Sequence, residues 1–378
     1  MKTCKCLVLL SNPRSLYEFI WYYATYGMDK EWQAVCFPFA GVDMQIEKYA
    51  EKTGIFKQIY NADINFQHAG LKERVKEFFR MFGYAVRGRQ QEYAQRLFSK
   101  YVDLSEFETI VTMSDFSVAF GSVLTYGKDA EVIILEDGRS DYAERSFSPF
   151  KNEFGCSLWM QALFLCALGY SNPTTFMPLR TTKNCVKFST YPDKMEYRDY
   201  KSIEHLFDMS KTNKILFENL VRKTFLSSME TEIKHSEAVL FTTPMSDFVG
   251  SEEEQEFIQR MLNYLRQKYK SISIKRHPRD FANYNMFSEM KIFELGGEIP
   301  GEILLSQFVT KGMYFSYPSS ILMQVAALDI KPNLFYMEDM MKWNEENNNE
   351  FKRKFLERTS FERDIRLMNC TDYNIIDL

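Results

Sequence analysis

Short apolar runs closed by polar turns alternate along this chain with stretches of helical period. Leu7-Val8-Leu9-Leu10 stops at Ser11-Asn12-Pro13-Arg14 and predicts a buried strand over residues 6–10. Leu16–Tyr26, ended by Gly27, predicts an aromatic helix, Trp32–Phe37 a second strand, Ile46–Thr53 a helix closed by Gly54, and Ile55–Tyr60 a third strand. Residues 71–101 read as a long helical stretch broken at Gly83 and Gly88. Thr109–Met113 and Val132–Leu135 are further strands, with a helix over Ser117–Tyr126 between them. Residues 139–230 are less regular. They hold a helical piece (Leu158–Leu168), a Pro-bearing extended piece (Asn172–Ser189) and a charged helix near Ile215–Phe225.

Alternation then resumes. Ala238–Phe241, Ser271–Ile274, Lys291–Leu295, Lys311–Phe315 and Asn333–Tyr336 predict strands. Glu252–Lys268, Gly301–Phe308 and Ser319–Leu328 predict helices between them, and residues 350–367 an amphipathic tail helix that could cross back onto the first half. Strands alternating with helices imply mainly parallel sheets. The expected fold class is α/β: two facing Rossmann-like domains, residues 1–230 with a connector and residues 231–378.

A chain of 378 residues holds two ordinary cores, and its 45% hydrophobic and 26% charged content is that of a soluble globular protein. Aromatic content is high, with 33 Phe and 22 Tyr, and reads mostly as aromatic-rich core. The net charge of −4 argues against nucleic acid as the partner. Cys4, Cys6, Cys36, Cys156, Cys166, Cys185 and Cys370 are scattered and odd in number, which argues against a zinc site or a disulfide framework and for a reducing cytoplasm. The first apolar run ends too early for a signal peptide, and no run is long enough to span a bilayer.

Four polar islands stand where strands end or helices begin. Glu136-Asp137-Gly138 follows Val132-Ile133-Ile134-Leu135; a carboxylate there could deprotonate a sugar hydroxyl, although Asp-Gly is also an ordinary turn. Arg276-His277-Pro278-Arg279 follows Ser271-Ile272-Ser273-Ile274. A histidine among cations can serve a phosphate, and Pro278 keeps it out of the helical region. Pro300-Gly301-Glu302 opens a helix, where a glutamate either complements the dipole or accepts from ribose hydroxyls. Ser319-Ser320 precedes Ile321-Leu322-Met323, and two serines at a helix start either cap it or hold an anion. Ligands of open α/β sheets lie outside the carboxyl ends of the strands, where these islands fall. Asn12, at the end of the first strand, joins the donor-binding candidates.

In this order and spacing the islands resemble the bacterial sialyltransferases. Ile299-Pro300-Gly301-Glu302-Ile303-Leu304-Leu305 and the chain length are most similar to glycosyltransferase family 52, the lipooligosaccharide and capsular sialyltransferases, with the polysialyltransferases near relatives. The resemblance implies a GT-B type, inverting, metal-independent enzyme with no cofactor, whose donor is CMP-sialic acid. It casts Asp137 as general base, and His277 as the group that stabilises or protonates the departing phosphate. Ser319 and Ser320 would hold that phosphate and Glu302 the ribose, with Arg276 and Pro278 beside them. Glu136 and Gly138 fall on the acceptor side; Glu136 or the run Glu252-Glu253-Glu254 could supply the base instead. No Asp-x-Asp metal motif is present.

The acceptor is expected to be a surface glycan, lipid-linked, met at the inner face of the cytoplasmic membrane. Lys72–Lys100 carries eight Lys/Arg interleaved with Phe78, Phe79, Met81, Phe82 and Tyr84, either a bilayer-docking face or a solvated helix. A homodimer is compatible with this reading. The rival readings are a transferase of another CMP-activated acid such as Kdo, a polysialyltransferase, and a catalytically silent nucleotide- or glycan-binding module.

Overall fold

The computed structural model describes residues 4–37, 45–63, 71–113, 118–136, 184–195, 200–226, 235–247, 249–286, 288–297, 299–308, 311–319, 321–327, 330–338, 358–367 and 370–378. The chain divides into two compact units, Met1–Phe225 and Leu226–Leu378.

In the first unit β1 (Lys5–Leu10) leads into α1 (Pro13–Tyr22), which continues as a π turn over Tyr23–Gly27. β2 (Glu31–Cys36), α2 (Ile46–Thr53) and β3 (Phe56–Asn61) follow. Gly54 takes φ +67° to close α2, as a left-handed helix terminus requires. α3 (Leu71–Val86) runs straight through Gly83, and the break falls at Gly88, φ +67°, before α4 (Gln90–Phe98). A glycine in helical φ only weakens a helix, whereas one in the left-handed region ends it. β4 (Thr109–Thr112), α5 (Val118–Val123), β5 (Glu131–Ile134), β6 (Cys185–Ser189) and β7 (Ser202–His205) complete a sheet of order β3-β2-β1-β4-β5-β6-β7, every pair parallel.

β1 is wholly buried from Cys6 to Leu10, so it reads as a continuous apolar run. Phe19, Trp21, Tyr22 and Trp32 are buried beside it, and Trp21 packs edge-on to Phe188 at 5.6 Å. The aromatic excess is core here. Each such side chain contributes about 2–3 kcal/mol of burial. Gly27 lies under the Trp32 ring, where a Cβ would sit 3.1 Å from it, and its carbonyl accepts from Trp32 Nε1 at 2.9 Å. α6 (Lys214–Val221) returns to α1, with Phe217 5.6 Å from Tyr17.

The second unit contains β8 (Ala238–Phe241), α7 (Ser251–Arg266), β9 (Ser271–Lys275), β10 (Lys291–Leu295), α8 (Gly301–Phe308), β11 (Gly312–Phe315), α9 (Ile321–Ala327), β12 (Asn333–Tyr336), α10 (Arg358–Leu367) and β13 (Asn374–Asp377). Its sheet runs β10-β9-β8-β11-β12-β13, again entirely parallel. α10 lies in this unit, with Phe361 5.3 Å from Tyr336 and 5.6 Å from Tyr317. Two units, each with an all-parallel sheet, are the α/β class expected from the sequence.

Candidate functional site

The first island sits at the carboxyl end of β5. Asp137 and Gly138 lie outside the described residues, but the residue leading into them is held from two sides. Glu136 is buried, 2% exposed. Its Oε2 accepts from Thr190 N at 2.6 Å, and its Oε1 accepts from Arg14 Nη2 at 3.3 Å. Arg14 also reaches Glu18 Oε1 at 2.9 Å, and Lys187 Nζ donates to Leu135 O at 3.0 Å. The ends of β5 and β6 and the first turn of α1 are thereby fastened together around Glu136. A buried carboxylate is tolerated only when it is paired in this way. Arg14, Lys187 and Thr190 escaped the sequence reading; their one legible signal was the charge of Arg14 just past the end of β1.

Asn12 caps α1. Its Oδ1 accepts from Ser15 N at 2.9 Å, and Ser15 Oγ is 3.2 Å from Asn12 N, a reciprocal capping box.

In the second unit the second island follows β9. His277 N donates to Thr242 Oγ1 at 3.1 Å, and Thr242 Oγ1 is bonded to Asp280 Oδ2. Asp280 also accepts from Tyr284 OH at 2.8 Å and from Ala282 N at 3.1 Å, and its own N–H donates to His277 O at 2.9 Å. The loop after β9 is therefore closed on a buried carboxylate. Arg276 is turned onto the same loop: Nη1 donates to Ala282 O at 2.7 Å, Nε to Glu294 Oε2 at 2.7 Å, and the guanidinium lies 5.0 Å from the centre of the Tyr284 ring. Gly297 lets that loop approach the end of β10, since a Cβ there would fall 2.7 Å from Pro278 Cα and 3.1 Å from Pro278 N.

His277 is half-buried, and burial, helped by Arg279 and Lys275, pushes its pKa down to about 4. Its Nδ1 accepts from Arg279 N at 3.2 Å, so the neutral ring carries its proton on Nε2. The residue is a neutral hydrogen-bond donor near neutral pH. Thr242, Asp280 and Tyr284 were missed, because none of them stands out by type or spacing.

Glu302 is half-buried in the first turn of α8, and Ser319 precedes α9, its carbonyl accepting from Leu322 N at 3.0 Å. Ser320 lies outside the described residues. Glu254 is buried at the start of α7, where its Oε1 accepts from Ser246 N at 2.7 Å; burial raises its pKa. Among the described residues no group of three or more His, Cys, Asp or Glu side chains is placed to hold a metal ion. None of the described helices is long and apolar enough to cross a membrane.

Comparison with known proteins completes the picture. The alpha-2,8-polysialyltransferase family model matches residues 61–323. No curated protein sequence matches the chain. Among solved structures, an alpha/beta-galactoside alpha-2,3-sialyltransferase from Photobacterium phosphoreum is similar, with a TM-score of 0.53 and 11% identity over 99% of this chain and 98% of that one. A UDP-GlcNAc 2-epimerase from Methanocaldococcus jannaschii has a TM-score of 0.49 and 10% identity, over 97% of this chain and 93% of that one. The former shares the fold. The family match extends over well more than half of the chain and contains all four polar islands; the chain belongs to the alpha-2,8-polysialyltransferase family and is a glycosyltransferase.

Proposed function

We propose that the protein transfers sialic acid from CMP-sialic acid to the terminal sugar of a bacterial surface glycan, with inversion and without a metal ion. The observation that carries this reading is the matched segment, residues 61–323, which contains Glu136-Asp137-Gly138, His277-Pro278, Glu302 and Ser319-Ser320 together. The family's own description makes a sialic-acid-terminated glycan the first acceptor to try.

In this mechanism the acceptor hydroxyl attacks the anomeric carbon of sialic acid and forms the new C–O bond. The bond from that carbon to the phosphate oxygen breaks, and CMP leaves with both electrons. Asp137 takes the hydroxyl proton. Both oxygens of Glu136 already accept, one from Thr190 N and one from Arg14, which favours Asp137 over it as the base. Glu254 Oε1 likewise accepts from Ser246 N. His277 Nε2–H donates to the phosphate oxygen on which charge develops and stays a neutral hydrogen-bond donor throughout the step. Ser319 and Ser320 hold the phosphate and Glu302 the ribose, while Arg276 acts through the loop it clamps. A monophosphate leaving group carries little enough charge for such donors to serve without a cation.

The basic stretch supports contact with an anionic bilayer surface. Lys72, Lys76 and Phe79 fall on one exposed stripe of α3, with Phe79 60% exposed, while buried Glu77 takes up Arg80 and Arg96. A lipid-linked acceptor on the cytoplasmic side of the membrane fits that stripe.

The test is CMP release from CMP-sialic acid by the purified chain in EDTA, with galactose- and sialic-acid-terminated acceptors. Acceptor-dependent release is expected, strongest with sialic-acid termini. Release that needs an added divalent cation, or that occurs equally with CMP-Kdo, would overturn the assignment.

A further inference from the structure

The sheet of the second unit reverses its strand order between β8 and β11. From β8 the chain builds outward through β9 and β10, then returns to lay β11 along the other edge of β8. Open parallel sheets take their ligands outside the carboxyl ends of the strands at such a reversal. Two loops leave the strands there, one after Phe241 and one after Phe315. They are tied to each other: Ser316 N donates to Phe241 O at 3.0 Å, and Thr243 N donates to Ser316 Oγ at 2.8 Å. Phe241 stacks on Phe315 at 4.9 Å beneath them.

Two hydroxyl oxygens in these loops are withdrawn from solvent without a hydrogen-bond partner among the described residues, Thr243 Oγ1 and Ser319 Oγ. Their neighbours are satisfied, since Thr242 Oγ1 bonds Asp280 and His277 N, and Ser316 Oγ accepts from Thr243 N. Buried polar groups are rarely left unpaired, and such a group costs stability unless something else repays it. Two hydroxyls at a strand-order reversal, beside a β9 terminus that carries Lys275 and Arg279, suit an anionic oxygen.

We propose that Thr243 is a donor-binding residue: its Oγ1 donates, together with that of Ser319, to phosphate oxygens of the nucleotide sugar at the junction of β8 and β11. The proposal rests on the nucleotide-sugar reading above and adds to it a residue on the β8 loop that no sequence motif marks. Thr243 distinguishes phosphate-bearing ligands from the nucleoside alone.

Calorimetric titration of the full chain with CMP, UMP, UDP and cytidine tests this, using the wild type, Thr243→Val and Thr243→Ser, with thermal unfolding of each protein alone. Thr243→Val keeps the shape and removes the hydroxyl. It is expected to bind CMP about ten- to a hundredfold more weakly. The free protein should unfold at an unchanged or higher temperature, because an unpaired buried hydroxyl has gone. Thr243→Ser should recover most of the affinity, and cytidine should bind both proteins alike. Wild-type CMP affinity in Thr243→Val overturns the proposal, as does a loss of affinity matched by a loss of stability, which marks a purely structural residue. If the wild type binds UMP or UDP but not CMP, the CMP-sugar reading fails, and Thr243 is judged by the same comparison on that nucleotide. If it binds none of the three, both fall.

Discussion

His277 shows how environment sets the chemistry of a side chain. An exposed histidine would be partly charged near neutral pH, but this one, half-buried beside Lys275 and Arg279, titrates at about 4. The unfolded chain takes up the proton first, near pH 6.5, so acidification from about pH 6.5 towards 4 removes stability rather than adding it. The loss at pH 5 should be about 1–2 kcal/mol, allowing for the ring's partial exposure. Urea unfolding of His277→Gln should show that much less acid sensitivity than the wild type; equal slopes in the two proteins would mean the ring is not held neutral. In kinetics, His277→Ala should lower kcat by about a hundredfold or more while CMP binding weakens far less.

Glu136 and Asp137 are adjacent acids to which the proposed mechanism gives different work. Glu136→Ala leaves Thr190 N unpaired and Arg14 with Glu18, and should cost about 3 kcal/mol of stability, measured by chemical unfolding. Asp137→Asn should leave stability and donor binding intact and abolish transfer. The reverse pattern would exchange their roles. The sequence marked both carboxylates, yet it did not separate them, because burial and hydrogen-bond partners come from β6 and α1, remote in the chain.

The loop after β9 and the turn after β10 form a second level of organisation. Arg276 and Asp280 draw the loop closed, and Gly297 lets it settle against the neighbouring turn. Gly297→Ala places a methyl group against the Pro278 backbone, which cannot rotate away as a flexible side chain would. That variant should lower kcat/KM by about tenfold or more, with a smaller loss in unfolding temperature, because a displaced loop misplaces His277 before it unfolds the sheet. Activity equal to wild type in Gly297→Ala would show that the loop is free to shift.

The pattern of apolar runs was enough to find these strands, several to the residue, because strands of a parallel sheet covered on both faces are continuously apolar. β7 and β13 were missed for the opposite reason. Ser202–His205 and Asn374–Asp377 are half-exposed edge strands with polar residues, and only their neighbours make them strands. The Gly83 break was an error of the same origin: helix α3 tolerates the glycine, and φ at Gly88 decides the break instead.

In the molecule as a whole, each unit has a parallel sheet whose strand order reverses once, after β3 in the first and after β10 in the second. The last strand, β13, pairs with β12 from Asn333↔Asn374 to Tyr336↔Asp377, and Arg358 of α10 reaches Asp377 at 2.6 Å. Removing residues 373–378 should lower the unfolding temperature by about 4 °C or more and promote association through the bared edge of β12. Scanning calorimetry and light scattering read both effects, and an unchanged protein would mean that β12 is protected in another way.

Local pattern was sufficient for the alternation of strands and helices, for the parallel α/β class and for the four polar islands, since period, turn residues and charge are properties of neighbouring positions. Tertiary structure alone decided which groups are spent and which are available. It paired Glu136 with Arg14 and Thr190, kept His277 neutral, set Asp280 under its loop and left the Thr243 hydroxyl without a partner among the described residues. Those outcomes depend on burial and on partners far apart in the chain, which appear only once the sheets have formed.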